Sequence, residues 1–253
     1  KHRGLSYFVL DMTQAAVEVQ PLKQMNGHAS FNQVFFTDAV IEPEFMVENL
    51  GDGWKIATTT LMHERRGADG LRRWETGTDR PERAYAEERE ELAHAMAPYK
   101  WYPQRMGRVD LAIERAKATG KYADPVVRQE IAKLLTMAKS AEWTARRARA
   151  AAVLGRNQGP EGSIGKLAAS HVARLGNHVH TMITGADAML TGSDSPMDGV
   201  IAEILVSTPA ISIAGGTDEI QRNIISERVL GMPKEPRNDT DRPFRDVPRN
   251  MIR

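Results

Sequence analysis

Ala214-Gly215-Gly216-Thr217-Asp218-Glu219-Ile220-Gln221-Arg222-Asn223 runs without a break into Ile224-Ile225-Ser226-Glu227-Arg228-Val229-Leu230-Gly231-Met232-Pro233. Two adjacent glycines let the backbone come close to another group and take conformations that a side chain would forbid. Thr217 is a helix N-cap, and Asp218 and Glu219 put negative charge in the first turn, where the helix dipole favours it. The helix predicted from Thr217 ends at Leu230, because Gly231 and then Pro233 stop it. Its exposed N–H groups could meet the polar edge of a cofactor. The same residues also describe an ordinary capped helix, and the physics of this stretch alone favours that plainer reading.

Helical texture extends upstream. Asp124-Pro125 is a start signal, with an N-cap followed by proline at the first helical position, and a helix is predicted from there to about Leu154. Another is predicted over 163–190, and one opens at Gly107-Arg108-Val109-Asp110 and ends near Gly120. Residues 80–97, dense in Glu, Arg and Ala, read as a solvated helix. From Trp54 on, Ile56, Thr60, Leu61 and Glu64 share one helical face.

Before residue 50 the texture is β. Leu5–Leu10, Ala16–Val19, Ser30–Phe36 and Asp38–Glu44, the last with a turn at Glu42-Pro43, read as four short strands. That is too little for a whole domain, which leads to the expectation that residues are missing upstream of Lys1. The tail 234–253, with Pro236, Pro243, Pro248 and alternating charges, reads as extended or disordered. The fold class expected is α+β, mostly α: a partial β-sheet over 1–50, a helical bundle over 51–233, then the tail.

Composition narrows the function. Of 253 residues, 34 are basic and 33 acidic, so the net charge of +1 gives no general attraction to nucleic acid or an anionic membrane. No apolar run reaches the roughly 18 residues needed to span a bilayer. With no cysteine, disulfides, thiolate metal sites and cysteine nucleophiles are excluded. Glu91-Leu92-Ala93-His94 is one copy of a Glu-x-x-His element that di-iron bundles use twice, and reads as a charged helix face. His171, His178 and His180 lie on one helix, with the last two on different faces. No metal site is expected. Gly51-Asp52-Gly53 lacks the third glycine of a dinucleotide fingerprint.

Taken in order, these motifs resemble the acyl-CoA dehydrogenase family. The stretch 214–233 is similar to its C-terminal signature. Val34-Phe35-Phe36-Thr37-Asp38-Ala39-Val40-Ile41 resembles the strand and turn leaving its middle β domain. Gly51-Asp52-Gly53-Trp54 resembles the start of its first C-terminal helix, and His63-Glu64-Arg65 resembles its "ER" position. The resemblance covers nearly all of 1–235. It implies a middle β domain, about half present, and a C-terminal four-helix bundle. It also implies FAD-dependent α,β-dehydrogenation of an acyl-CoA thioester to a trans-2-enoyl-CoA, with electrons passing to an electron-transfer flavoprotein. A homo- or hetero-tetramer follows from the same resemblance, while the high Ala and Arg content points to a bacterial source and the absence of cysteine fits a reducing cytoplasm.

Many members carry the catalytic base just before the Gly-Thr of the last motif; here that position is Gly215, which has no carboxylate. A second group uses the glutamate of the "ER" position, which is Glu64, with Arg65 ordering the site. A carboxylate in a dry pocket has its pKa raised toward the range a base needs. Without the family, Glu64 reads more simply as a helix-surface carboxylate pairing with a nearby Arg or Lys. The resemblance assigns flavin contacts to Gly216, Thr217, Asp218, Glu219 and, across a subunit interface, Gln129.

The chain departs from the family in two places. The Arg-x-x-Phe-Gly pattern is missing, its arginine falling near Lys117 or Ala118, and Gln-x-x-Gly-Gly has become Thr181-Met182-Ile183-Thr184-Gly185. These departures keep a non-catalytic partner subunit, or an inactive fragment, as the alternative. The stretch 67–108 is longer and more charged than the usual gap between the first two bundle helices, and either reshapes the acyl pocket or forms an exterior excursion.

Overall fold

The computed structural model describes residues 2–74, 83–155 and 161–234, with 236, 239 and 242–247 of the tail. The expected helix over 80–97 and the expected tail fall partly outside these residues. The described chain forms two compact units. One is built on Lys1–Leu22 and Phe31–His94, the other on Lys23–Ser30 and Ala95–Lys234.

In the first unit, β1 (Tyr7–Phe8) pairs antiparallel with β4 (Met46–Val47). β2 (Val17–Leu22) pairs antiparallel with β3 (Phe31–Phe36), in a register that sets Val19 opposite Val34 and Val17 opposite Phe36. Side chains alternate along each strand, so Val17, Val19, Pro21, Val34 and Phe36 share one apolar face. The strand expected at 38–44 does not form. Pro43 has no N–H to give a ladder, and Pro43–Phe45 closes instead into a 3-10 turn. The strand expected over Leu5–Leu10 shrinks to two residues because its partner β4 has only two.

Two helices follow, α1 (Gly53–Trp74) and α2 (Arg83–Met96). The Gly51-x-Gly53 pair has a packing reason. A Cβ on Gly53 would lie 2.7 Å from the Ser6 carbonyl carbon, and one on Gly51 would lie 2.7 Å from the Arg3 oxygen. The Gly53 N–H donates to the Leu5 carbonyl at 2.8 Å. The glycines therefore let the start of α1 lie directly against the backbone beside β1.

The second unit holds α3 (Tyr102–Arg105), α4 (Ala112–Ala118), α5 (Pro125–Val153), α6 (Glu161–Thr184), α7 (Val200–Ser207) and α8 (Asp218–Arg228). α6 is its axis, packing on α4, α5, α7 and α8. The main core joins Val127, Ile131 and Leu134 of α5 to Ala112 and Ala116 of α4 and to Val179 and Ile183 of α6. α5 starts where expected. Asp124 accepts from the Val126 N–H at 2.8 Å, and Pro125 fills the first helical position without losing a needed donor.

Two helix boundaries and one whole helix differ from the sequence expectation. The helix expected from Gly107 begins only after a 3-10 turn at Val109–Leu111, because Gly107 and Arg108 are both left-handed, at φ +79° and +39°. The helix expected to run to residue 190 stops at Thr184, where Gly185 turns left-handed and a 3-10 segment continues to Met189. α7 was not anticipated. Ile201, Ala202 and Ile204 are buried, and eight residues in which Glu203 is the one charged group are too few to show an amphipathic period. Gly176 of α6 and Gly107 meet backbone to backbone, and a Cβ on Gly176 would collide with the Gly107 carbonyl oxygen. This contact lets the turn before α4 lie flat on α6.

Candidate functional site

The N-terminus of α8 is the most organised polar region of the second unit. Gly215 and Gly216 are both left-handed, at φ +67° and +89°, so the chain doubles back just before the helix. Thr217 caps α8, its Oγ1 accepting from the Ile220 N–H at 3.4 Å. Gln221, one helical turn on, reaches back and donates Nε2 to the carbonyls of Gly215 at 3.1 Å and Gly216 at 3.2 Å. The double-glycine turn is thereby pinned from within.

Asp218 faces inward and is 3% exposed. Its Oδ2 accepts from Arg174 Nη1 at 2.9 Å, and its Oδ1 lies 3.5 Å from Lys166 Nζ. Burial raises the pKa of this carboxyl, but Ser170, Arg174 and the charge of Lys166 outweigh it and hold it at about 2. Lys166, Ser170 and Arg174 are spaced by four along α6 and so form one face of it. Ser170 is fully buried and donates to the Ile211 carbonyl at 3.2 Å, tying the segment before the turn to the same helix.

A second polar cluster joins α4 to α6. His180 is fully buried. Its Nδ1 lies 3.0 Å from Arg115 Nη1, and its Nε2 lies 3.0 Å from the Arg108 carbonyl. Arg115 can only donate and a carbonyl can only accept, so His180 is the neutral Nε2–H tautomer. Arg115 Nη2 also donates to Thr184 Oγ1 at 2.6 Å. Burial holds His180 below the usual imidazole range; the Arg108 carbonyl opposes this, and the Arg115 charge adds to it.

The pH consequence follows from linkage. The unfolded chain takes up a proton near the ordinary value of 6.5, while the folded chain does so only lower. The contribution of His180 to stability is therefore complete above pH 6.5 and is lost as the pH falls through its depressed folded pKa. Thermal unfolding should show Tm declining below this pH, with a shallower decline in His180→Gln. An unchanged slope in the variant would assign the effect to other groups.

The residues singled out from sequence fall as follows. Gly216, Thr217, Asp218 and Glu219 are contiguous at the start of α8; Asp218 is internally paired and Glu219 is exposed. Gln129 is exposed on α5, on the side opposite the buried Val127, Ile131 and Leu134. Glu64 is exposed on α1 and belongs to the first unit. Arg65 is on α1, and its side chain lies outside what is described. Sequence reasoning missed Lys166, Ser170, Arg174, Gln221, Arg115 and His180. A signal existed for the first three, the spacing of four along α6. None existed for Arg115 with His180, which are 65 residues apart.

Residues 107–230 match the family model described as the acyl-CoA dehydrogenase C-terminal domain. Through this stretch the chain belongs to the acyl-CoA dehydrogenase family. It is 33% identical over 241 residues to acyl-CoA dehydrogenase IpdE1 of Mycolicibacterium smegmatis, across 93% of this chain and 51% of that protein. The chain thus spans about half the length of this relative.

Among solved structures, one titled Tcur3481-Tcur3483 steroid ACAD superimposes with a TM-score of 0.66 at 18% identity, over 92% of this chain and 53% of the other. The ChsE4-ChsE5 complex from Mycobacterium tuberculosis gives a TM-score of 0.63 at 18% identity, over 93% and 54%. The expected class, mostly α with some β, is the fold of these acyl-CoA dehydrogenases. Among the described residues no helix is long and apolar enough to cross a membrane.

Proposed function

We propose that this chain is the C-terminal part of a bacterial, cytoplasmic FAD-dependent acyl-CoA dehydrogenase subunit, and that Glu64 is its α-proton base. The observation that carries the proposal is the family match over 107–230, together with a motif in which Gly215 leaves the other base position without a carboxylate. The sequence division at 50/51 into a β segment and a bundle is part of the same reading. The exposed apolar face of β2 and β3 supports it, since a lone two-stranded hairpin gains little stability and such a face belongs in a larger sheet.

The residues present fit a flavin. Gly215 is exposed with no side chain, so a ring or phosphate can approach the backbone there. Gly216 and the cap Thr217 lead into the first turn of α8, and the exposed Glu219, paired with Arg222 at 3.3 Å, and the exposed Gln129 add polar side chains. The role of Asp218 is to hold this turn in place, because its carboxylate is committed to Arg174 and Lys166. Bound there, FAD would supply the acceptor for the β-hydrogen. Glu64 would take the α-proton onto a carboxylate oxygen, and electrons would leave to an electron-transfer flavoprotein.

A second reading, a non-catalytic partner subunit in a heteromeric enzyme, is favoured by one observation. Thr184, within the altered Gln-x-x-Gly-Gly stretch, is engaged by Arg115 inside the chain. The visible spectrum of the whole protein, before and after anaerobic addition of mixed acyl-CoA thioesters, separates the readings. A flavin band that bleaches is expected. A protein with no band after incubation with FAD, which copurifies with a homologous flavin-containing chain, would move the assignment to the partner subunit.

A further inference from the structure

A cavity of about 430 Å³ lies within the second unit, away from the start of α8. Its walls come from the segment 23–30, from the chain between Ala188 and Gly199, and from α7. Ala188, Met189, Ala202, Leu205 and Val206 make most of the surface apolar. The charge around it has one sign. Asp198 and Glu203 line the cavity with His28, and neither a lysine nor an arginine is among the lining residues.

Glu203 is held rigidly. One of its oxygens lies 2.5 Å from His28 Nε2, and the other accepts from Gln104 Nε2 at 3.0 Å. A carboxylate has about four lone-pair positions, so a bonded Glu203 can still accept from an incoming donor. Asn26 donates to Ser207 at 3.2 Å, a second tie between the segment 23–30 and α7. Asp198 is presented by a strained turn. Met197, Asp198 and Gly199 are left-handed in succession, at φ +54°, +53° and +86°. Side-chain-bearing residues are strained in that region, and such strain gathers at binding sites.

We propose that this cavity is a socket for one arginine side chain of a partner polypeptide. An apolar-walled pocket with carboxylates and no cation complements a side chain that has an aliphatic stem and a cationic head. It disfavours phosphate and carboxylate ligands, which would meet Asp198 and Glu203 without a counter-charge. Arginine fits better than lysine because its planar, weakly hydrated guanidinium can pair with a carboxylate through two parallel bonds. The inference is independent of Glu64 and of flavin, so it stands or falls apart from the proposed dehydrogenase activity.

The test titrates the whole protein with the tripeptide acetyl-Ala-Arg-Ala-amide and its Ala-Gln-Ala counterpart, following the methyl NMR signals of Ala188, Ala202, Leu205 and Val206. Saturable shifts with the arginine peptide are expected, at least tenfold weaker with the glutamine peptide and in Asp198→Asn. Asparagine tolerates the left-handed backbone, so this variant removes the charge and keeps the turn. A second variant, Ala202→Leu, fills the cavity without changing charge and should also lose the shifts. Equal shifts with both peptides would overturn the proposal, as would no shift with either. Shifts with n-butylguanidinium but not with the arginine peptide would overturn it too, making the cavity a site for a free small cation.

Discussion

Turnover of acyl-CoA by the whole protein should fall by about 10²–10⁴-fold in Glu64→Gln, the range a positioned general base contributes. The glutamine keeps the size and helix propensity of Glu64 and removes only its capacity to take a proton. Glu64 is exposed on α1, so the substitution should leave the unfolding free energy within about 0.5 kcal/mol of the parent. Flavin content should likewise hold, since the residues proposed to meet FAD belong to α5 and the start of α8. The measurement is the anaerobic rate of flavin bleaching at saturating acyl-CoA, read beside the flavin-to-protein ratio. A variant that bleaches at the parental rate would remove Glu64 from the mechanism. Restoring a base by Gly215→Glu in the Glu64→Gln background would test whether a second position can reach the same proton. Gly215 is left-handed at φ +67°, so a glutamate there strains the turn, and Lys166 lies beside it and would pair with the new carboxylate; both should limit the rescue.

Asp218→Asn should produce the largest loss of stability among single changes at the α8 turn. Asparagine can still accept from Arg174, but Lys166 and Arg174 are left facing each other without an anion. Breaking a fully buried pair costs about 3–5 kcal/mol. Here Arg174 is 45% exposed and Lys166 18%, so water screens part of the repulsion and about 2 kcal/mol is expected. The depression of the carboxyl from 3.8 to about 2 corresponds to a similar figure. In Tm this is a fall of about 4–8 °C.

The acid limb should change as well. A carboxyl with a lowered folded pKa gives stability that is complete above pH 3.8 and lost as the pH falls through about 2. Asp218→Asn should therefore flatten the acid limb in that window. Calorimetry at pH 7 and pH 3 tests both statements. A variant as stable as the parent at pH 7 would mean that the ion cluster contributes nothing net.

Local signals were sufficient wherever a structural choice depends on neighbours in the chain. Asp124-Pro125 started α5 as expected, because an N-cap oxygen and a proline that needs no donor act within three residues. Thr217 with Asp218 and Glu219 started α8 for the same reason. The order of motifs from Val34 to Pro233 was enough to place the chain in its family, and the comparison over 107–230 agrees. Pro43 was read as a turn and forms one, but the strand expected around it does not form, since pairing depends on a partner strand that the local sequence does not contain.

Other features depended on which distant residues meet. Asp218 was assigned to a segment that meets a cofactor; where its carboxylate goes was decided by α6, which sets Lys166 and Arg174, 52 and 44 residues earlier in the chain, around it. Leu175, Gly176, His178 and His180 look alike as parts of one helix, yet Gly176 touches the backbone of Gly107, His178 faces solvent and His180 is sealed beneath Arg115. Helix and cap are short-range properties, written in propensities and in hydrogen bonds that close within one turn. Burial, the protonation state of a histidine and the partner of an aspartate depend on the sum of contacts across the fold, and only folding brings those groups within reach of one another.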